Sequence, residues 1–245
     1  SGGMSITGSD TNHPTRAGIP IGDLGSGLYS VISILSAVIS RDRSNKGQHI
    51  DLSLLDVQIS LLTYMATMQT LSGIDPEPIG NAHFVHVPYN SFTTSDGFVV
   101  IAVITNEFWL SLLDIVDIEE LRNDKFSDQP GRLKNQAYIE ELLNKKLSEN
   151  TSEYWIDKLN ASKVPCAPIN SFSKALSDEQ VIHRNMVVEV EHPDGGKVLM
   201  PGNPVKLSLD NEDTYSPPPH LGQHTSDTLK SWANYSEKEI DLLIK

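Results

Sequence analysis

From Asp23 onward, Leu24, Leu28, Val31, Ile32, Leu35, Val38 and Ile39 return at the spacing of one helical face, with Gly, Ser and Ala at most positions between them. A helix so apolar has to be covered, so the pattern predicts a buried helix that begins near Asp23. It is entered through Gly18-Ile19-Pro20-Ile21-Gly22-Asp23-Leu24-Gly25-Ser26-Gly27, which sets one carboxylate in the first turn, at the edge of a packed core. Spacing alone leaves two readings open. Asp23 is an N-cap that accepts free backbone N–H groups, worth about 1 kcal/mol. Alternatively it is a nucleophile displayed at a helix start, with Gly22, Gly25 and Gly27 leaving room for a ligand against the backbone.

The first helix is expected to stop near Arg41-Asp42-Arg43-Ser44-Asn45-Lys46-Gly47, where basic residues precede a glycine. Gln48 to Leu54 alternates apolar and polar residues and predicts a short strand. Residues 55–71 predict a second helix through Val57, Ile59, Leu61, Leu62, Met65 and Met68. Pro76 and Pro78 make Gly73 to Gly80 a linker. After it, Ser95-Asp96-Gly97 between Phe92 and residues 98–104 predicts a hairpin. Helices are expected at 107–113, 133–147 and 151–160, the last capped at Thr151-Ser152-Glu153. Pro165 and Pro168 break the chain, followed by a helix over 171–176 and strands over 187–190 and 197–199 around Pro193-Asp194-Gly195-Gly196. Ser216-Pro217-Pro218-Pro219 forces an extended segment, and short helices over 225–233 and 237–245 close the chain. The division this suggests is 1–75, 76–190 and 191–245, in an α/β protein.

Composition narrows the function. With 38% hydrophobic residues and no run judged to approach membrane-spanning length, the 245-residue chain is expected to be soluble. A net charge of −13 argues against nucleic acid, since binding a phosphate backbone needs a basic field. An anionic ligand would instead need a local cation, and Arg16, just ahead of the Asp23 segment, has the planar fork that pairs with a carboxylate; a surface ion pair is the equal alternative. The lone Cys166 cannot form an internal disulfide, and no signal sequence or lipidation motif precedes the first helix. A reducing compartment is therefore expected, the cytoplasm or equally a mitochondrial matrix. Ser1-Gly2-Gly3-Met4 does not read as a natural start, so sequence is expected upstream.

The order of short motifs carries more than any one of them. Ser1-Gly2-Gly3-Met4-Ser5-Ile6-Thr7-Gly8 is followed by Pro20-Ile21-Gly22-Asp23 and Gly47-Gln48-His49-Ile50-Asp51-Leu52-Ser53-Leu54. Gly80-Asn81-Ala82-His83, Pro88-Tyr89, Asp96-Gly97, Val164-Pro165-Cys166-Ala167-Pro168 and Leu221-Gly222-Gln223-His224-Thr225 come next. This order resembles the class III CoA-transferase family, typified by formyl-CoA transferase and also containing the 2-methylacyl-CoA racemases. The resemblance spans nearly the whole chain and puts Asp23 on the family's catalytic aspartate. It implies the C-terminal part of a large Rossmann-like domain plus a small α/β domain, without the N-terminal half that carries most CoA-nucleotide contacts. That half is then cleaved, omitted or supplied as a separate chain.

For function, the resemblance implies covalent CoA transfer from an acyl-CoA such as succinyl-CoA to a carboxylic acid, through an aspartyl anhydride and an aspartyl-CoA thioester. Coenzyme A enters as a substrate, and no metal or redox cofactor is expected. Leu54 matches a family position lining the CoA channel, and His83 is a candidate for orienting the acceptor carboxylate, or else packs at the domain junction. His83 and His86 form an H-x-x-H pair, but the segment offers no third metal ligand. Protomers of the family interlock as homodimers. A racemase is the alternative within the family, but Thr93 stands where its proton-transfer glutamate would be, and threonine is no acid or base there. A non-catalytic interaction module is the alternative outside it.

Overall fold

The computed structural model describes residues 1–209 and 214–243. It divides into two compact units, Ser1–Ile169 and Asn170–Lys245, a different division from the one suggested above. The α/β class holds: the chain combines helices with two small sheets, both antiparallel.

In the first unit a Gly3–Ser5 turn precedes α1 (Ile21–Ser44), α2 (Leu54–Leu61) and α3 (Tyr64–Ser72). The helix opening near Asp23 is therefore present, but it is not buried. Only Gly25 and Ser26 are, while Leu28 is 67% and Leu35 56% exposed. The reason is geometric: α2 is only two turns long and crosses α1 at its first turns, so it leaves the rest of the apolar stripe uncovered. Length and composition would also let α1 cross a membrane, which overturns the judgement that no run approaches that length. The core helix of a soluble protein passes the same test, and the packing of α2 against Gly25 shows that one face of α1 is built for protein.

α1 ends within the expected stretch, with Asn45 rather than Gly47 making the turn: its backbone is left-handed at φ 55 and its N–H bonds Arg41 O. Two local expectations change. Gln48 to Leu54 forms no strand, because among the described residues nothing pairs with it. The single helix over 55–71 breaks at Thr63, where φ 52 and ψ −128 cannot continue a helix, so the region is two helices. Ser53 caps α2 by accepting the Asp56 N–H at 3.0 Å.

The hydrophobic core of this unit lies beyond residue 86. β1 (Tyr89–Thr93) and β2 (Phe98–Ala102) form the expected hairpin, with Tyr89 opposite Ala102 and Thr93 opposite Phe98. Asp96 accepts from Ser152 N and Oγ and from Thr94 Oγ1, and those donors hold its carboxyl below the usual range. The hairpin is thus tied to the start of a later helix. α4 (Asn106–Val116) is capped by Thr105 and contributes Trp109, Leu112, Leu113 and Val116 to the core. The helix expected over 133–147 is split into α5 (Gln129–Lys134) and α6 (Gln136–Leu147), whose Ile139, Leu143 and Leu147 face inward. α7 (Ser152–Ala161) opens at Thr151 as expected and sends Trp155 inward, its Nε1–H bonding Leu147 O at 2.7 Å. The proline-flanked break proves to be β3 (Cys166–Pro168), an edge strand on β2 where missing N–H groups are tolerated.

The second unit contains α8 (Phe172–Leu176), α9 (Glu179–His183), β4 (Val187–Glu191), β5 (Lys197–Pro201), α10 (Thr225–Ala233) and α11 (Glu237–Leu243). The expected hairpin is β4 with β5, while α9, capped by Asp178, was not anticipated. The last two positions of the expected 237–245 helix lie outside the described residues.

Candidate active site

Pro20, not Asp23, occupies the N-cap of α1 and supplies no side-chain cap bond, while Asp23 sits in the first turn. The capping reading of Asp23 is therefore overturned. Leu24 N makes the first helical bond, to Pro20 O at 3.0 Å, so the N–H groups of Gly22 and Asp23 lie ahead of the ladder. The Asp23 side chain is exposed, and its negative charge faces the positive end of the α1 dipole.

That carboxylate opens on a cavity of about 700 Å³, whose polar lining includes Ser1, Ser5, Thr7, Arg16, Asp23 and Gln58. The N-terminal motif forms much of its wall. Ser5 Oγ donates to Gly2 O and Thr7 Oγ1 to Gly3 O, each at 2.7 Å, which folds the segment back on itself. Arg16 and Asp23 thus both line one cavity, and the Asp23 carboxylate has no side-chain hydrogen-bond partner among the described residues.

The glycines have another task. A Cβ at Gly25 would stand 3.0 Å from Leu61 Cδ1 and 3.3 Å from Val57 Cγ1, and one at Gly22 would stand 3.1 Å from Gln58 Nε2. Gly25 lets α2 approach α1, Gly22 leaves room for the Gln58 carboxamide, and neither lines the cavity, while Gly27 looks onto open space. Leu54 also stays out of the wall, at the start of α2, where its carbonyl accepts from Gln58 Nε2 at 3.2 Å.

His83 lies in a loop tied to the N-terminal segment by Gly80 N bonding Gly8 O at 2.7 Å, but it does not line the cavity. The loop holds the Gly80-Asn81-Ala82-His83 and Pro88-Tyr89 motifs against each other. His83 N bonds Tyr89 O at 3.1 Å and the His83 ring stacks on Tyr89 with centroids 5.1 Å apart. His83 Nδ1 accepts from Val85 N and His86 N, which takes that nitrogen away from any metal. Burial first, and the neighbouring His86 second, push the His83 pKa below 6.5. Among the described residues no group of three His, Cys, Asp or Glu gathers to hold a metal ion. Arg132 clamps the same loop: its buried guanidinium donates to Val87 O, Phe126 O, Asn106 Oδ1 and Gln129 Oε1.

Sequence reasoning missed Gln58. Its signal was a polar residue within the apolar run of α2, one turn after Leu54 and directly after the buried Val57.

A family model described as CoA-transferase family III matches residues 1–225. The chain is 33% identical over 245 residues to a succinyl-CoA:glutarate CoA-transferase of Homo sapiens, covering all of this chain and 56% of that protein. It is 32% identical over 232 residues to a succinate–glutarate CoA-transferase of Agrobacterium fabrum, covering 94% of this chain and 58% of that one. Among solved structures, a CAIB/BAIF family protein from Brucella suis superposes with a TM-score of 0.75 at 31% identity, over 91% of this chain and 58% of its own. The chain thus spans a little over half the length of these relatives.

Proposed function

From the premise that this chain belongs to CoA-transferase family III, we propose that it moves CoA from an acyl-CoA donor, such as succinyl-CoA, to a carboxylic acid, with Asp23 as the nucleophile. The observation that supports this reading is that Asp23 and Arg16 line one cavity at the N-terminus of α1. The Asp23 carboxylate attacks the thioester carbonyl and expels CoA thiolate, leaving a mixed anhydride. The thiolate attacks the aspartyl carbonyl, releasing the donor acid and forming an aspartyl-CoA thioester. An acceptor carboxylate then displaces the thiolate to give a second anhydride, and attack of the thiolate on the acceptor's acyl carbon yields the new thioester and frees Asp23.

Arg16 is suited to hold the acceptor carboxylate through its fork. The N–H groups ahead of the α1 ladder are suited to share negative charge as it develops at the carbonyl oxygen. Transfer is favoured over racemisation because Thr93 brings no proton-transfer group. The same reading assembles the protein as a homodimer, and the uncovered apolar stripe of α1 is surface that an assembly would bury.

The test is mass spectrometry of the full-length protein after incubation with succinyl-CoA and hydroxylamine, which converts an aspartyl thioester or anhydride to a hydroxamate. The hydroxamate is expected on the peptide carrying Asp23, and Asp23→Ala should abolish CoA exchange. Exchange at the wild-type rate by Asp23→Ala would overturn the reading.

A further inference from the structure

The polar groups of the cavity differ in what they have left to give. Ser5 and Thr7 donate their hydroxyl protons to Gly2 O and Gly3 O, and Ser1 donates its own to Gln58 Oε1 at 3.0 Å. Gln58 Nε2 has two hydrogens and places one on Leu54 O at 3.2 Å. Since Leu54 O can only accept, and Ser1 Oγ donates to the other end, the orientation of the carboxamide is determined. Its nitrogen is also the end nearest Gly22, 3.1 Å from where a Cβ would stand there, and Gly22 immediately precedes Asp23. Among the described side chains of the cavity, Arg16 and Gln58 therefore keep uncommitted N–H groups, one charged and one neutral.

Resting on the reading of Asp23 as nucleophile, we infer that Gln58 is a catalytic residue that donates its second Nε2–H to the oxyanion formed when Asp23 attacks the thioester. In that step an Asp23 oxygen forms a bond to the thioester carbon while the C=O electron pair moves onto oxygen. The oxyanion collapses by re-forming C=O and breaking the C–S bond, so that CoA leaves as thiolate and no proton is transferred. A neutral donor suits the role because the oxyanion is transient, whereas a second cation would hold the ground-state carboxylates as firmly. The two donors divide the work: the guanidinium of Arg16 binds an acid that is charged throughout, and the carboxamide of Gln58 answers a charge that appears only at the tetrahedral stage.

The experiment compares kcat and kcat/KM for succinyl-CoA-dependent exchange in the full-length wild type, Gln58→Met and Asp23→Ala. Methionine keeps the length of the side chain and removes both N–H groups. For Gln58→Met, kcat and kcat/KM should fall together by about a hundredfold, the usual loss for one oxyanion donor, with thermal unfolding unchanged. Wild-type kcat in Gln58→Met, alongside an inactive Asp23→Ala, overturns the role of Gln58 alone; an active Asp23→Ala instead overturns the reading beneath it. If Gln58→Met does not fold, Gln58→Glu carries the test through pH. A carboxyl can donate only when protonated, so the ratio of its kcat to that of wild type should rise as pH falls. A ratio that stays constant with pH overturns the inference.

Discussion

Replacing Gly25 by Ala asks whether this glycine serves α2 or a ligand. Two opposed terms set the outcome. Alanine gains about 1 kcal/mol over glycine in a helix interior. Against this, the new methyl would stand 3.0 Å from Leu61 Cδ1 and 3.3 Å from Val57 Cγ1, inside the usual carbon–carbon contact distance, and overpacking of this kind costs about 1–3 kcal/mol. The net expectation for Gly25→Ala is a loss of about 0–2 kcal/mol, too broad alone to decide the question. A double-mutant cycle removes the ambiguity, because Leu61→Ala deletes the nearest atom. In that background Gly25→Ala should stabilise by up to about 1 kcal/mol, its helix propensity then opposed only by the 3.3 Å approach to Val57 Cγ1. The coupling between the two sites is then the Leu61 share of the overpacking cost, at most about 1–3 kcal/mol, against the roughly 0.3–0.5 kcal/mol within which independent sites add. Urea unfolding of the full-length protein and the three variants measures it, provided the slopes agree. Additive effects would refute the argument and return Gly25 to a role beside the ligand.

Two further outcomes follow from the loop that holds His83. Arg132→Lys should lower stability by about 2–6 kcal/mol, since a compact ammonium cannot reach four acceptors spread around a planar fork, and at least two buried acceptors left unpaired cost about 1–3 kcal/mol each; a loss under about 1 kcal/mol in chemical unfolding would contradict this. The His83 pKa is lowered by burial and by His86, so the unfolded chain binds more protons than the folded one in the window just below pH 6.5. Stability should therefore fall as pH drops through that window and level off below the folded value. Urea midpoints measured across it should show the slope, and His83→Gln should flatten it; an identical slope in the variant assigns the proton to another group.

Some features were legible because they depend on neighbours along the chain. The hairpin about Asp96-Gly97, the cap at Thr151, the helix start at Thr225 and the placement of Asp23 in a first turn all follow from a few adjacent residues. The missed elements depended on residues far away in sequence. Alternation over Gln48 to Leu54 has no strand to pair with among the described residues, and the break at Thr63 is a backbone conformation that periodicity does not encode. Gln58 could not be weighed from spacing, since its importance comes from lying against Gly22 on another helix.

Local chemistry in the sequence was sufficient to set a carboxylate at the head of an apolar helix and to identify the family, because caps, turns and ordered motifs are short-range and survive without a partner. Tertiary structure alone decided what surrounds that carboxylate. Which glycine meets a side chain, which donors are already committed and whether an apolar stripe is covered are properties of close contact between separate elements, where tenths of an ångström determine the free energy and chain order does not.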